Sequence, residues 1–321
     1  MRSFLGYGVA ILLLTCLIAF TAFIVTPNQS GVSRFESPLP DFLTVNINKQ
    51  VTLLDFWSPF IEKIQGSEKD NPDYTAKSVL LYDLATNKTL FEHNSKEKLP
   101  MASLTKIMTA IVALENKRQD DRYLAHKEDL VGEDSMGIVA GETFSLEELL
   151  YGLMLPSGND ASEVIASNYT DGRLAFIQAM NDKAKALGLT DTQFSNPSGL
   201  QGDGIQHTTA AELVVITKYA LDNFPLLRKI ISTYEYILPA TQTHQEYQLF
   251  NETNLLTTYP GVKGVKTGYT PEAGMCLVTL LEYEGHQIIG VILNSENRRE
   301  EMKQFLDFSL RQLGIEPPPH Q

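Results

Sequence analysis

Cysteine is scarce: of 321 residues only Cys16 and Cys276 carry a thiol, one inside an apolar N-terminal run and one near the far end of the chain. That placement makes an internal disulfide implausible, so stability has to come from a packed core. Basic residues are also few, with 26 Lys and Arg against 39 Asp and Glu and a net charge of −13. Without a basic stripe to neutralise phosphates, nucleic acid is excluded as a partner. The six histidines fall in no His-Glu-x-x-His pattern and no paired spacing, so neither a metal nor another cofactor is expected. There is one tryptophan, Trp57, read as a packing or interfacial residue, and there are no repeats or low-complexity tracts.

What the chain has instead is a charge-free run of 22 residues at 4–25, preceded by Arg2. As a helix that run spans roughly 33 Å, against a hydrocarbon core of ~30 Å. It is longer than the apolar region of a signal peptide, and no small-x-small cleavage site follows it. An uncleaved anchor at 1–29 is therefore expected, giving a single-pass protein of the cell membrane. With Arg2 inside, the bulk of the chain faces the extracytoplasmic side. Cys16 lies in mid-span and reads as a buried apolar cysteine.

Residues 30–74 read as a linker, broken by Pro38 and Pro40, with one short amphipathic segment around 51–61. A hairpin follows at 78–83 and 89–93. From 103 to about 221 the pattern is mostly helical, with helices at 146–155, 160–168, 173–187 and 209–221. After Gly261 it returns to strands at 264–269, 275–283 and 286–294, the last two joined at Glu284-Gly285. A terminal amphipathic helix covers 297–313, with Met302, Phe305, Leu306, Phe308, Leu310 and Leu313 as its apolar positions. Strands from both ends of the chain with helices inserted between them predict an α/β (α+β) fold: one antiparallel sheet with helices on its faces and a helical lobe.

Three short motifs carry chemistry. In Ser103-Leu104-Thr105-Lys106 a hydroxyl and an amine stand one helical turn apart, at the head of a helix whose apolar residues cover most of its circumference. An amine buried there is neutral enough to take the serine proton, whereas on a plain helix start Ser103 would only cap. The copy Ser95-Lys96-Glu97-Lys98 lies in a polar run and reads as a solvated turn. Ser157-Gly158-Asn159 sits in a loop between two helices, where turn and cap are the simplest reading. Lys266-Thr267-Gly268 lies on a strand, where alternation sets Lys266 and Gly268 on one face and Thr267 on the other.

Taken in order, Ser-x-x-Lys, then Ser-x-Asn 54 residues later, then Lys-Thr-Gly 109 residues beyond that, resemble the signature of penicillin-binding proteins and serine β-lactamases. The closest resemblance is to the low-molecular-mass D-alanyl-D-alanine carboxypeptidases. It runs from about residue 77 to 313 and includes Ala186-Leu187-Gly188-Leu189-Thr190-Asp191-Thr192 and Asn196-Pro197-Ser198-Gly199-Leu200. It implies the transpeptidase fold with a five-stranded antiparallel sheet, a catalytic domain at 75–314 and a tail at 315–321. It also implies a substrate, the peptidoglycan stem peptide ending in D-Ala-D-Ala, with β-lactams as inhibitors and a part in cell-wall metabolism and cell shape.

By the same resemblance Ser103 is the nucleophile, Lys106 its base, Ser157 a proton relay and Asn159 an orienting amide. Lys266 and Thr267 hold the terminal carboxylate, and the backbone N–H groups of Ser103 and of Tyr269, after Gly268, form the oxyanion hole. The family's downstream arginine corresponds to Arg298 or Arg299. Three alternatives stay open: an endopeptidase cutting cross-links with the same residues, a β-lactamase, and a non-catalytic peptidoglycan binder. A β-lactamase of class A needs a deacylating glutamate, and the region 190–204 offers only Asp191 and Asp203.

Overall fold

The first strand of the sheet, β1 (Ser78–Asp83), is buried along its whole length, which is why Val79-Leu80-Leu81-Tyr82 at its centre run on without polar alternation. The structure is a computed structural model that describes residues 57–61, 72–253 and 255–320. The chain divides into two compact units, Met1–Asp55 and Phe56–Gln321, and every described residue belongs to the second. The expected anchor at 1–29 and most of 30–74 lie outside the described residues. Among the described residues no helix is long and apolar enough to cross a membrane.

After β1 come β2 (Lys88–His93), a 3₁₀ turn (Ala102–Leu104), α1 (Thr105–Glu115), β3 (Tyr123–Leu124), β4 (Thr143–Phe144), α2 (Leu146–Met154), α3 (Asn159–Ser167) and α4 (Gly172–Ala186). There follow α5 (Ala210–Asn223), α6 (Pro225–Ile231), β5 (Glu235–Leu238), β6 (Tyr247–Phe250), the single turn α7 (Leu255–Thr258), β7 (Val262–Thr270), β8 (Gly274–Tyr283), β9 (His286–Ser295) and α8 (Arg298–Gln312). The sheet is five-stranded and antiparallel, in the order β2-β1-β9-β8-β7. Strands from the two ends of the sequence therefore meet at its centre, between β1 and β9.

Alternation along the central strands divides the core in two. Leu80, Tyr82, Val278, Leu280, Ile289 and Val291 face the helical lobe, where α1, α2 and α5 pack. Val79, Leu81, Leu281, Ile288 and Ile292 face α8, against Met302, Phe305, Leu306 and Leu310. Each fully buried side chain of that size contributes about 1.5–3 kcal/mol. Helix α1 is the hub of the lobe: Thr105 through Ala113 are all buried, among α2, α4 and α5. Helix α2 begins at a capping box, in which the Glu148 backbone N–H donates to Ser145 Oγ at 3.3 Å and the Ser145 N–H donates back to Glu148 Oε2 at 2.7 Å.

The sheet, the terminal helix and the four helices expected at 146–155, 160–168, 173–187 and 209–221 lie within a residue or two of the expected bounds, but the connectors around them are longer than expected. Residues between α1 and α2 are largely irregular apart from the β3–β4 pair, those between α4 and α5 form a long loop, and β5 and β6 make a second small hairpin. Trp57 packs edge-on against Tyr82 at 5.7 Å, with Lys218 Nζ 5.2 Å from its ring centre. At the other end His320 stacks on Tyr259 at 4.6 Å.

Candidate active site

Ser103 lies on the 3₁₀ turn that presses against β7, and Lys106 on the first turn of α1 behind it. The spacing of three does what helical geometry requires, bringing Lys106 Nζ to 2.9 Å from Ser103 Oγ. Lys106 is fully buried and Ser103 is 8% exposed, enough for a reactant to reach the hydroxyl but not the amine. Nζ also donates to Asn159 Oδ1 at 2.7 Å and to the Ser198 carbonyl at 2.8 Å.

These partners fix the protonation chemistry. A neutral amine has two N–H groups and one lone pair; the amide oxygen and the carbonyl can only accept, so they take both N–H groups. The lone pair then points to Ser103, whose O–H donates to it. Burial, foremost, and the charge of Lys266, second, hold the Lys106 pKa well below its ordinary value, against an opposing pull from Asp134, Glu252 and Asp160. Lys266, itself buried, is pushed down to about 8 by desolvation, with Glu252 resisting and Arg298 assisting. Both lysines are thus pushed toward the neutral amine, and Lys266 stays mostly charged below about 8.

Backbone packing is tight enough to demand glycine at two points. A Cβ on Gly199 would lie 2.0 Å from the Ala102 carbonyl oxygen, and one on Gly268 would lie 3.0 Å from Ser103 N. The Lys-Thr-Gly strand therefore runs directly alongside the nucleophile's backbone. Ala102 and Ser157 hold left-handed conformations, φ 47° and 63°, which cost a non-glycine residue of order 1–3 kcal/mol each. Ser157 is buried in the turn that opens α3, and Asn159 is that helix's first residue.

Three of the four expected catalytic positions meet at Lys106 Nζ, which touches both Ser103 and Asn159, and Ser157 lies two residues before Asn159 on the turn that opens α3. On β7 the register is regular from Val265 to Thr270, so alternation holds. Lys266 Nζ folds back to the Thr267 carbonyl at 3.1 Å, and Thr267 lies on the opposite side of this edge strand. Its Oγ1 donates to Glu252 Oε2 at 3.2 Å. The side chain of Tyr269 is 59% exposed and lines, with Glu133, Leu200 and Gln201, a cavity of about 590 Å³.

Of the two downstream arginines it is Arg298 that reaches the strand, donating to the Gly268 carbonyl at 2.6 Å, while Arg299 pairs with Glu300. The copy at Ser95 is a turn, as expected, but it is not fully solvated: Ser95 is 1% exposed, because the Ala211 N–H at the start of α5 closes over its carbonyl.

Several supporting residues have no counterpart among the motifs. Asn196 Oδ1 accepts from Gly199 N at 2.7 Å and from Ser198 N at 3.2 Å, shaping the loop that offers the Ser198 carbonyl to Lys106. Asp160 collects the N–H groups of Met136, Gly137 and Ile138 at 2.9–3.0 Å, pinning the loop that flanks Asn159. The only sequence signal was for Asn196, which opens the stretch Asn196-Pro197-Ser198-Gly199-Leu200 that carries the resemblance.

The D-alanyl-D-alanine carboxypeptidase family model matches residues 65–297. The chain is 33% identical over 276 residues to the D-alanyl-D-alanine carboxypeptidase DacF of Bacillus subtilis, covering 83% of this chain and 70% of that one. It is also 33% identical over 215 residues to a D-alanyl-D-alanine endopeptidase of Escherichia coli, covering 64% of this chain and 67% of that one. Its fold superposes on the crystal structure of the Streptomyces K15 DD-transpeptidase with a TM-score of 0.70 at 30% identity, covering 75% of this chain and 98% of that one. The match spans well over half of the sequence and includes every residue of the cluster around Lys106, so the chain belongs to the D-alanyl-D-alanine carboxypeptidase family.

Proposed function

We propose that this protein is a serine-type D-Ala-D-Ala carboxypeptidase that removes the terminal D-Ala from peptidoglycan stem peptides through an acyl-enzyme. The observation that carries the reading is the buried Lys106 amine 2.9 Å from Ser103 Oγ, with Asn159 Oδ1 and the Ser198 carbonyl placed to take its N–H groups so that, once neutral, its lone pair faces the Ser103 proton.

In this mechanism Ser103 Oγ attacks the carbonyl of the penultimate D-Ala as its proton passes to Lys106. The oxyanion lies between the N–H groups of Ser103 and Tyr269, each such donor being worth about 100- to 1000-fold in rate. Collapse breaks the peptide bond, and Ser157 relays the proton from Lys106 to the departing amine of D-Ala. Thr267 and Lys266 hold the terminal carboxylate until it leaves, and Arg298 braces the Gly268 carbonyl from behind. Water then attacks the ester, giving its proton to Lys106, and restores Ser103. Binding of β-lactams, which acylate the same serine, follows from this chemistry.

Slow hydrolysis of the penicilloyl ester is part of the proposal. The two acids of the region 190–204 are both tied to cations, Asp191 to Lys98 at 2.7 Å and Asp203 to Arg173 at 2.6 Å, so neither stands in for a deacylating glutamate. The likeness to an endopeptidase favours a second reading with the same residues, cleavage of cross-links. Incubation with a pentapeptide stem and with a cross-linked dimer separates the two: loss of one D-Ala from the first alone supports the carboxypeptidase, and cleavage of the dimer alone overturns it. Tethering to the cell membrane through 4–25, with residues 75–314 on the extracytoplasmic side, completes the proposal; its support is the charge-free length of that run and Arg2 before it. Protease added outside intact cells should digest the domain, and full protection would contradict this orientation.

A further inference from the structure

The carboxylate-binding pocket just described contains a carboxylate of its own. Strand β6 is followed by Asn251, whose buried side chain donates to the carbonyls of Ile231 and Thr233 at 3.2 and 3.1 Å and accepts the Thr253 N–H at 2.8 Å. The next residue, Glu252, donates its backbone N–H to the Leu155 carbonyl at 3.2 Å, beside the Ser157 turn. Its backbone is thus fixed from both sides, and its side chain is delivered to the free edge of β7, where Oε2 accepts from the Thr267 hydroxyl at 3.2 Å. That hydroxyl is the group assigned to the substrate's terminal carboxylate.

We propose that Glu252 is a positioning residue that stands in for the substrate's C-terminal carboxylate: it occupies the Thr267 hydroxyl in the free enzyme and yields it, at a cost in affinity, when a peptide carboxylate enters. The inference rests on the carboxypeptidase reading. A second negative charge about 6 Å from an incoming one weakens its binding roughly five- to tenfold in partly hydrated surroundings. Glu252 also acts through space on both lysines, holding more charge on each. The other charged groups facing Lys266 are Arg298 and Asp134, and those facing Lys106 are Lys266, Asp134 and Asp160; a change at Glu252 leaves all of them in place.

Glu252→Gln should therefore have two signatures. Near pH 6, where Lys266 is charged with or without Glu252, KM for a D-Ala-D-Ala peptide should fall roughly five- to tenfold. Loss of a carboxylate that favours both ammonium groups also lowers both pKa values. The acid limb, set by Lys106, and the alkaline limb, set by Lys266, should then move together to lower pH.

The test is steady-state kinetics of the full chain from pH 5.5 to 9.5 with that peptide, beside inhibition by the same peptide carrying a C-terminal amide, for the wild type, Glu252→Gln and Glu252→Asp. The expected result is tighter carboxylate binding, unchanged amide binding and both limbs shifted in Glu252→Gln, with Glu252→Asp close to wild type. An unchanged or raised KM near pH 6, or amide and carboxylate affinity rising together, would overturn it. If the wild type releases no D-Ala, the carboxypeptidase reading itself fails; release of D-Ala with a Glu252→Gln profile superimposable on the wild type removes this inference alone.

Discussion

The chain holds the same four-residue pattern twice, eight residues apart, and the two copies have opposite fates. At Ser103 the serine is at the surface of a cleft and the lysine is sealed beneath it, 2.9 Å away. At Ser95 the arrangement is inverted: the serine is buried and its Oγ has no partner, while the Lys98 side chain is 54% exposed and pairs with Asp191. Lysine chemistry depends on what surrounds the amine, and only the first copy strips its lysine of water and places a second cation, Lys266, close enough to oppose its charge. The motif supplies the two groups; the fold around Lys106 makes one of them a base.

The largest expected effect breaks this comparison at the serines. Ser103→Ala should remove penicillin labelling and lower D-Ala release by roughly 10⁴-fold or more, whereas Ser95→Ala should keep both. Gel fluorography with a labelled penicillin and an assay for free D-Ala check this. At the lysines, Lys106→Met should slow acylation about 10²- to 10⁴-fold while Lys98→Met leaves it within twofold, measured by stopped-flow with a chromogenic β-lactam.

A third expectation concerns the charged lysine. Lys266 is protonated below about 8 and neutral above it, so affinity for a carboxylate-terminated peptide should be present at pH 7 and fade as pH rises through about 8. Inhibition constants measured against a C-terminal amide should show no such loss. The smallest effect should come from Asn196→Ala, which frees the N–H groups of Ser198 and Gly199 and should cost about 1–3 kcal/mol of stability by urea unfolding.

Where local chemistry dictated local shape, the structure was legible in advance. The apolar centre of β1, the Glu284-Gly285 turn and the spaced apolar residues of α8 each report their own local structure, and the ordered motifs marked Ser103, Lys106, Ser157, Asn159 and Lys266. Asn196, Asp160 and Glu252 carry no functional signal of their own in the sequence, because their partners lie on other segments. A carboxylate that gathers N–H groups more than 20 residues away leaves no periodic trace, and the choice between Arg298 and Arg299 depends on which one turns toward Gly268. The length of the irregular stretches before α2 and before α5 was not legible, since their order comes from such side-chain bonds and not from backbone propensity.

The central claim is that Lys106 is a neutral base whose state is set by burial and by Lys266. The most direct test is the pre-steady-state rate constant of acylation by penicillin, followed across pH for the wild type and for Lys266→Gln. The rate should rise with pH through a midpoint well below the ordinary lysine value, because the base is active only when deprotonated, and in Lys266→Gln that midpoint should move to higher pH, because a repelling charge has gone. A limb that stays at the same pH in Lys266→Gln, or a rate with no dependence on pH, would contradict the account.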